Sequence, residues 1–361
     1  MSTSPSTADD GPSNARNAPH ADASPKPARR ATIRDVAAAA GVSTATVSKV
    51  FRGGYRLRPE TEQRVRDAAE ALNFSPNPYA QTLHGARTGT VGLITSDIEG
   101  RFSLPVMMGA EDAFGSDQVS VFLCDARGDA IREQHHLRSL LGRRVDGIIV
   151  VGSMTNPRET LGRDIPVPVV YAYAPSTHPD DVSVITDNVG AGRIAAEHLL
   201  SLGYSRIGYL SGDHTYLAAR ERVQGARSAL QAAGTDILGG EALYGPWGEE
   251  WGRAGARRMT EMYPDMDALL CGSDHVARGA LDALREDGVR VPEDLAVIGH
   301  DNWELLARQS RPPLSTIDNN LEALGRRAAE LLNAAIDGSP QPGVHEVPAL
   351  LVPRGSTLRA H

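Results

Sequence analysis

Between residues 31 and 74 apolar positions recur at helical spacing. Ile33, Val36, Ala37 and Ala40 fall at i, i+3, i+4 and i+7, one face of a helix. Thr32 carries the hydroxyl of an N-cap, and Asp35, three residues on, can answer it in a capping box. Gly41 supplies the left-handed residue that ends such a helix. Ser43 then caps a second helix from Thr44 to about Phe51. Val47 and Val50 point inward along it, which leaves Thr44, Ala45, Thr46, Ser48 and Lys49 outward. A third helix starts at Pro59, a good first-turn residue, with Val65, Ala69 and Leu72 on one face. Two short helices around a glycine turn, the second exposing small polar groups and a cation, predict a helix-turn-helix with a supporting helix.

From Thr90 the pattern changes. Short apolar runs at Val91–Thr95, Val119–Cys124, Gly147–Val151, Val169–Tyr173, Val182–Ile185, Ile207–Leu210, Ala268–Cys271 and Leu295–Ile298 alternate with amphipathic segments. The latter cover 105–115, 130–142, 190–202, 217–233, 249–262, 274–287 and 320–336. Strand and helix in alternation argue for parallel α/β sheets, and about 270 residues is large for one sheet. The expected fold is an all-α helix-turn-helix head (31–76) plus an α/β body of two parallel-sheet lobes (90–361). A linker rich in Pro and Gly (77–89) joins them, and a Ser/Pro-rich tail (1–30) without hydrophobic periodicity precedes them.

Charge sharpens this division. The chain has 361 residues and a net charge of −8, yet Lys26 to Arg87 holds eleven Lys/Arg against five acids. A basic block on an acidic body suggests a polyanion-binding head. No apolar stretch approaches the ~20 residues of a membrane span. The first 30 residues lack the apolar core of a secretory signal. Cys124 and Cys271 form neither a disulfide framework nor a zinc pair, which favours a reducing cytosol. No metal, cofactor or membrane partner is expected.

The head resembles that of the LacI/GalR family of bacterial transcriptional regulators. The resemblance is carried by Thr32-Ile33-Arg34-Asp35-Val36-Ala37, Ala40-Gly41-Val42-Ser43, Thr46-Val47-Ser48-Lys49-Val50, Pro59-Glu60-Thr61, and Leu72 through Asn77 to Leu83. It implies a cytoplasmic, nucleoid-associated homodimer that reads a pseudo-palindromic double-stranded DNA operator. Thr44 and Ala45 would set base preference, and Lys49 would reach a guanine or a phosphate. Thr32, Arg34, Ser43, Thr46 and Ser48 would position phosphates. Arg52 stands where the family commonly has Asn and would add a phosphate contact. Asn77 falls within the matching run as a further DNA-binding position. Residues 78–85 match a hinge helix whose leucine, here Leu83, wedges between base pairs of a kinked minor groove.

The body resembles the same family's effector domain, built like a periplasmic sugar-binding protein. The matching stretches include Asp187-Asn188, Arg220-Glu221-Arg222, Cys271-Gly272-Ser273-Asp274, Val291 to Gly299, and Asp301-Asn302. The resemblance implies a small-molecule effector, a sugar by preference, in a cleft lined by Phe102, Arg222, Trp247, Asp274 or its neighbour Ser273, and Asp301. Carboxylates accept hydroxyl hydrogens, a guanidinium donates a planar fork, and aromatic faces stack on the C–H side of a sugar. Asp187 and Asp274 also stand where helix caps stand. Gly100-Arg101 replaces the family's frequent Asn-Pro before the cleft aromatic.

A competing enzyme reading rests on Gly190-Ala191-Gly192-Arg193-Ile194-Ala195, which satisfies G-x-G-x-x-A of an NAD(P)-dependent oxidoreductase. Asp187-Asn188-Val189 intervene after the strand, however, so these glycines are expected inside the helix. Leu351-Val352-Pro353-Arg354-Gly355-Ser356 spells a thrombin-cleavage linker, yet a terminal strand of this kind also suits the family and is taken as native.

Overall fold

The computed structural model describes residues 31–52, 57–74, 87–97, 101–115 and 119–358. The tail 1–30, the hinge segment 78–85, Asn77, Leu83 and the side chain of Arg52 lie outside the described residues. The chain forms two compact units, residues 1–85 and 86–361.

The first unit holds α1 (Ile33–Ala40), α2 (Thr44–Arg52) and α3 (Pro59–Ala71). Its core is Val36, Ala37, Ala40, Val47, Val50, Val65 and Ala69. The expected capping box is present at α1, and Gly41 follows at φ 64° in the left-handed region. Ile33 and Leu72, placed on inward faces by periodicity, are both exposed. Each sits at a helix end, where too little of the bundle remains to cover it.

The second unit contains two sheets. Lobe 1 has the order β10-β5-β4-β3-β1-β2, with β1 Thr90–Thr95, β2 Ser120–Asp125, β3 Gly147–Val151, β4 Val169–Ala172, β5 Val182–Thr186 and β10 Gly343–Val347. Its six strands are parallel. The helices of this lobe are α4 (Ser103–Phe114), α5 (Ala130–Gly142) and α11 (Leu321–Ile336). Lobe 2 has the order β11-β9-β8-β7-β6, with β6 Ile207–Leu210, β7 Ala268–Cys271, β8 Ala296–His300, β9 Ser315–Asp318 and β11 Leu350–Val352. Only β11 runs antiparallel. Its helices are α6 (Asn188–Ser201), α7 (Leu217–Ala232), α8 (Glu249–Met262), α9 (Asp274–Glu286) and α10 (Glu304–Gln309). Central strands such as β3, buried along their whole length, read as unbroken Val/Ile runs because helices cover both faces. The sequence pattern missed β9, β10, β11 and α10, which are short or half polar.

Three helix pairs cross on reciprocal glycines. A Cβ on Gly192 of α6 would lie 1.9 Å from the Arg222 carbonyl oxygen of α7, and one on Gly225 of α7 would lie 1.8 Å from that of Val189. Gly109 and Gly325 do the same for α4 with α11, and Gly252 and Gly279 for α8 with α9. Gly192 therefore serves backbone contact between helices. Gly190 is inside the first turn of α6, where its N–H is capped by Asp187 at 2.6 Å. Neither glycine occupies the strand-to-helix turn that a dinucleotide phosphate requires.

The chain passes between lobes at 186–188, 318–321 and 347–350. These crossovers are laced together: Thr186 Oγ1 donates to the Asn319 carbonyl at 3.0 Å, the Asp187 N–H to Val347, and Asn320 Nδ2 to Pro348. The thrombin-like hexapeptide is structural. Leu351 and Val352 pair with Ile317 and Thr316, the Arg354 guanidinium donates to the Leu314 carbonyl and Asn302 Oδ1, and buried Ser356 donates to the Val297 carbonyl.

Candidate functional site

The head presents one polar face. Arg34, Ser43, Thr44, Ala45 and Lys49 are exposed, while Thr32, Thr46 and Ser48 are half-buried. Part of this set is engaged within the head. Thr32 Oγ1 donates to Asp35 at 2.7 Å, and Ser43 Oγ accepts the Thr46 N–H at 3.1 Å and shares a 2.9 Å contact with its hydroxyl. These hydroxyls hold the starts of α1 and α2, where backbone N–H groups and helix dipoles favour an anion.

In the body a cavity of about 370 Å³ lies between the lobes. Its walls come from segments beyond the carboxyl ends of β1, β3, β4, β6, β7 and β8, the usual place for a ligand on open parallel sheets. Phe102, Arg222, Trp247 and Asp301, all expected from sequence, line it together. Ser273 and Asp274 do not. Ser273 is the buried N-cap of α9 and takes the Val276 N–H. Asp274 is wholly buried, accepting from Thr316 Oγ1 at 2.6 Å and the Trp303 N–H at 2.7 Å. Burial and the nearby Asp301 carboxylate push its carboxyl up to about 8. It fixes the loop that carries Trp303 from behind the wall.

Arg222 is the centre of the polar network. Only 3% exposed, it donates from Nε to Asn188 Oδ1 at 2.9 Å and from Nη1 to the Gly272 carbonyl at 2.9 Å. It also lies 3.5 Å from Asp301 Oδ1 and 3.5 Å from Asn319 Oδ1. Asn319 in turn donates to Asp301 at 3.0 Å and meets His300 Nε2 at 2.9 Å. Burial and the Arg222 charge keep His300 neutral, well below the usual imidazole range. Asn188 and Asn319 belong to two of the crossovers, so the cleft guanidinium is fastened to the strands about which the lobes turn.

Aromatic rings form the remaining wall. Phe102 stacks on Tyr173 at 4.7 Å, Tyr216 meets Trp247 edge-on at 5.6 Å, and His275 meets Trp303 at 4.7 Å. Trp247 packs over Gly212, where a Cβ would lie 2.1 Å from the indole. Tyr173 and Asp301 hold φ of 70° and 104°, left-handed backbone at two non-glycine cleft residues. Such strain concentrates where function fixes the geometry. Two buried donors here lack a hydrogen-bond partner, Trp247 Nε1 and Arg101 Nη1. Buried unpaired donors are costly, and a ligand acceptor would satisfy them. Sequence reasoning missed Arg101, Tyr173, Tyr216, His275 and Trp303 as lining residues. Trp303, two positions after Asp301, was the one with a signal. Among the described residues no cluster of three or more His, Cys, Asp or Glu is placed to hold a metal, and no helix is long and apolar enough to cross a membrane.

A helix-turn-helix unit with a two-lobed, cleft-bearing α/β body defines the class of DNA-binding regulator with an effector-binding domain. Residues 32–77 match the bacterial regulatory proteins of the lacI family, and residues 196–357 match the periplasmic binding protein-like domain. The repressor PurR of Mannheimia succiniciproducens is 34% identical over 304 residues, covering 84% of this chain and 91% of that protein. The regulator CelR of Thermobifida fusca is 34% identical over 317 residues, covering 86% and 93%. Among solved structures, the Lac repressor dimer bound to operator and the anti-inducer ONPF superposes with a TM-score of 0.73 at 27% identity, covering 92% of this chain and all of that one. The CelR–cellobiose complex superposes at 0.60 with 32% identity, covering 91% and 100%. The chain belongs to the LacI family of DNA-binding transcriptional regulators.

Proposed function

We propose that the protein is a cytoplasmic, nucleoid-associated repressor that binds a pseudo-palindromic operator as a homodimer and is controlled by a carbohydrate held between its lobes. One observation carries the sugar reading. The free valences of the cleft are a lone carboxylate oxygen (Asp301 Oδ2), two unpartnered donors (Arg101 Nη1 and Trp247 Nε1) and aromatic faces. That is the complement of a polyol ring, with hydroxyls at its edge and C–H groups on its face. The CelR–cellobiose complex makes cellobiose the first probe. Phe102, Arg222, Trp247 and Asp301 contact the sugar, while Ser273 and Asp274 support the wall. Thr44 and Ala45 read bases; Arg34, Lys49 and Arg52 contact phosphate; Thr32, Ser43, Thr46 and Ser48 fix register. Asn77 and Leu83 engage the centre of the operator.

Arg222 links ligand to lobe angle through Asn188 and Asn319. Sugar and DNA then change each other's affinity by one common factor, typically about 5–150-fold. The aromatic faces would equally stack a planar base, and this is the second reading. Thermal shift of the full-length protein with D-glucose, cellobiose and adenine separates the two, and a gel shift on the operator with and without the stabilising compound tests control. Stabilisation by adenine alone refutes the sugar reading; no sequence-specific DNA binding under any condition refutes the regulator.

A further inference from the structure

The cleft has a neighbour. A second cavity, about 510 Å³, lies against it, and Arg101, Phe102, Asp301 and Trp303 line both. We propose that this second cavity is an outer subsite for another sugar ring, so that the effector is a disaccharide or longer. The inference rests on the carbohydrate reading above.

The partition itself is built for a polar crossing. The Arg101 guanidinium lies between two rings, 5.1 Å from the centre of Phe102 on lobe 1 and 5.0 Å from that of Trp303 on lobe 2. Its Nη1 is buried, has no hydrogen-bond partner and stands 4.0 Å from Asp301 Oδ2. That gap is too long for a direct hydrogen bond. A single hydroxyl lying between the two groups would accept from Arg101 and donate to Asp301. The other oxygen of Asp301 is already taken by Asn319 and Arg222. A hydroxyl held there belongs to both chambers at once, which is the position of a group beside a glycosidic bond.

The outer chamber is amphipathic. Leu104 and Met108, on successive turns of α4, are 42% and 52% exposed and give it an apolar side. The opposite side carries carboxylates whose charge is already met. Glu304 pairs with Arg308 at 2.9 Å, Glu322 with Arg326 at 3.8 Å, and Asp318 accepts from Asn302 and Asn320. These groups offer acceptor lone pairs to hydroxyls and repel an anion, so a neutral sugar ring suits the chamber better than a phosphate or a uronate. Each chamber falls within the ~300–1,000 Å³ of a small-ligand site. One ring in the inner chamber leaves the outer one unfilled.

The test is calorimetric titration of the full-length protein with D-glucose and its dimers cellobiose and maltose. At least one dimer is expected to bind tenfold or more tightly than glucose. Leu104→Trp, which fills the outer chamber, is expected to reduce that dimer to the glucose value, and Met108→Trp to act likewise. Trp303→Phe, which adds no bulk, keeps the test usable if both of these misfold; it should weaken the dimer more than glucose. Equal binding of glucose and both dimers, or blocking variants that leave the dimer untouched, overturns the outer subsite while the sugar reading survives. Failure of all three sugars where adenine binds refutes the sugar reading and the subsite with it. A blocking variant that changes the oligomeric state and not the selectivity makes the chamber a contact between copies and overturns the proposal.

Discussion

Gly212→Ala adds one methyl group under Trp247. The new Cβ would lie 2.1–2.2 Å from three carbons of the indole. Ordinary carbon contacts are about 3.5–4 Å, so the ring must withdraw by roughly 1.4 Å. It is half-buried against the cavity, and that space is the open direction for it to move. The strain is thus relieved at the ligand's expense, and the fold itself is little affected. Overpacking of this size costs about 1–3 kcal/mol, or roughly a tenfold to hundredfold loss of effector affinity. Cellobiose is titrated against full-length protein and followed by indole fluorescence, with operator binding in the absence of sugar as the control. A double-mutant cycle isolates the cause. In a Trp247→Ala background the methyl has no ring to meet, so the second substitution should change affinity by less than about 0.5 kcal/mol. Parental affinity in Gly212→Ala would refute the placement of Trp247 as a cleft wall. An equal loss in both backgrounds would place the effect in the backbone.

Gly192→Ala drives a Cβ into the Arg222 carbonyl at a contact neither helix can relieve by rotating a side chain. It should cost the body about 3 kcal/mol, seen as a melting temperature lower by roughly 5–10 °C. Arg222→Met leaves Asp301, Asn188 and Asn319 without their cation, and a loss of about 3–5 kcal/mol in denaturant unfolding is expected, with sugar binding abolished. Asp274 has its folded carboxyl raised to about 8, so between the ordinary carboxylate range and that value the folded state binds the extra proton. Stability associated with this group is therefore full in acid and is lost as pH rises through about 8. Asp274→Asn, which mimics the protonated acid, should flatten the fall in melting temperature between pH 6 and 9. In the head, Lys49→Ala and Arg34→Ala should each lower the slope of log K against log salt by about one if the side chain meets phosphate. An unchanged slope removes it from the DNA face.

The two halves of the molecule were unequally legible in the sequence. The head's helices announce themselves through capping chemistry: Thr32, Gly41, Ser43 and Pro59 each have one local task and perform it in the structure. The lobes were visible as alternation, but β9, β10 and β11 were not. Their identity depends on which neighbouring strand has a free edge, a fact of tertiary structure. The cleft divides similarly. Arg222, Trp247 and Asp301 came from resemblance and converge on one cavity. Asp274 was misplaced because a carboxylate beside a cleft motif looks the same in sequence whether it faces the ligand or holds the loop behind it. Tyr173 and Tyr216 were missed since an aromatic at a strand end or before a helix reads as ordinary core. Only the left-handed backbone at Tyr173 reveals its direction.

The hexapeptide Leu351–Ser356 turns the protein into its own timing device. Thrombin severs such a sequence after the arginine, but only as a loose extended strand threaded through the protease. Here that arginine is tethered to Leu314 and Asn302, and the serine is locked beneath β8. Cleavage must wait until β11 peels away from β9. The rate of cutting at modest protease concentration counts how often this corner of lobe 2 opens. Asn302 adjoins Asp301 in the wall of the cleft, so a ligand that steadies that loop should slow the clock. Thrombin added to remove a purification tag would then report, as a side product, the conformational state of the preparation.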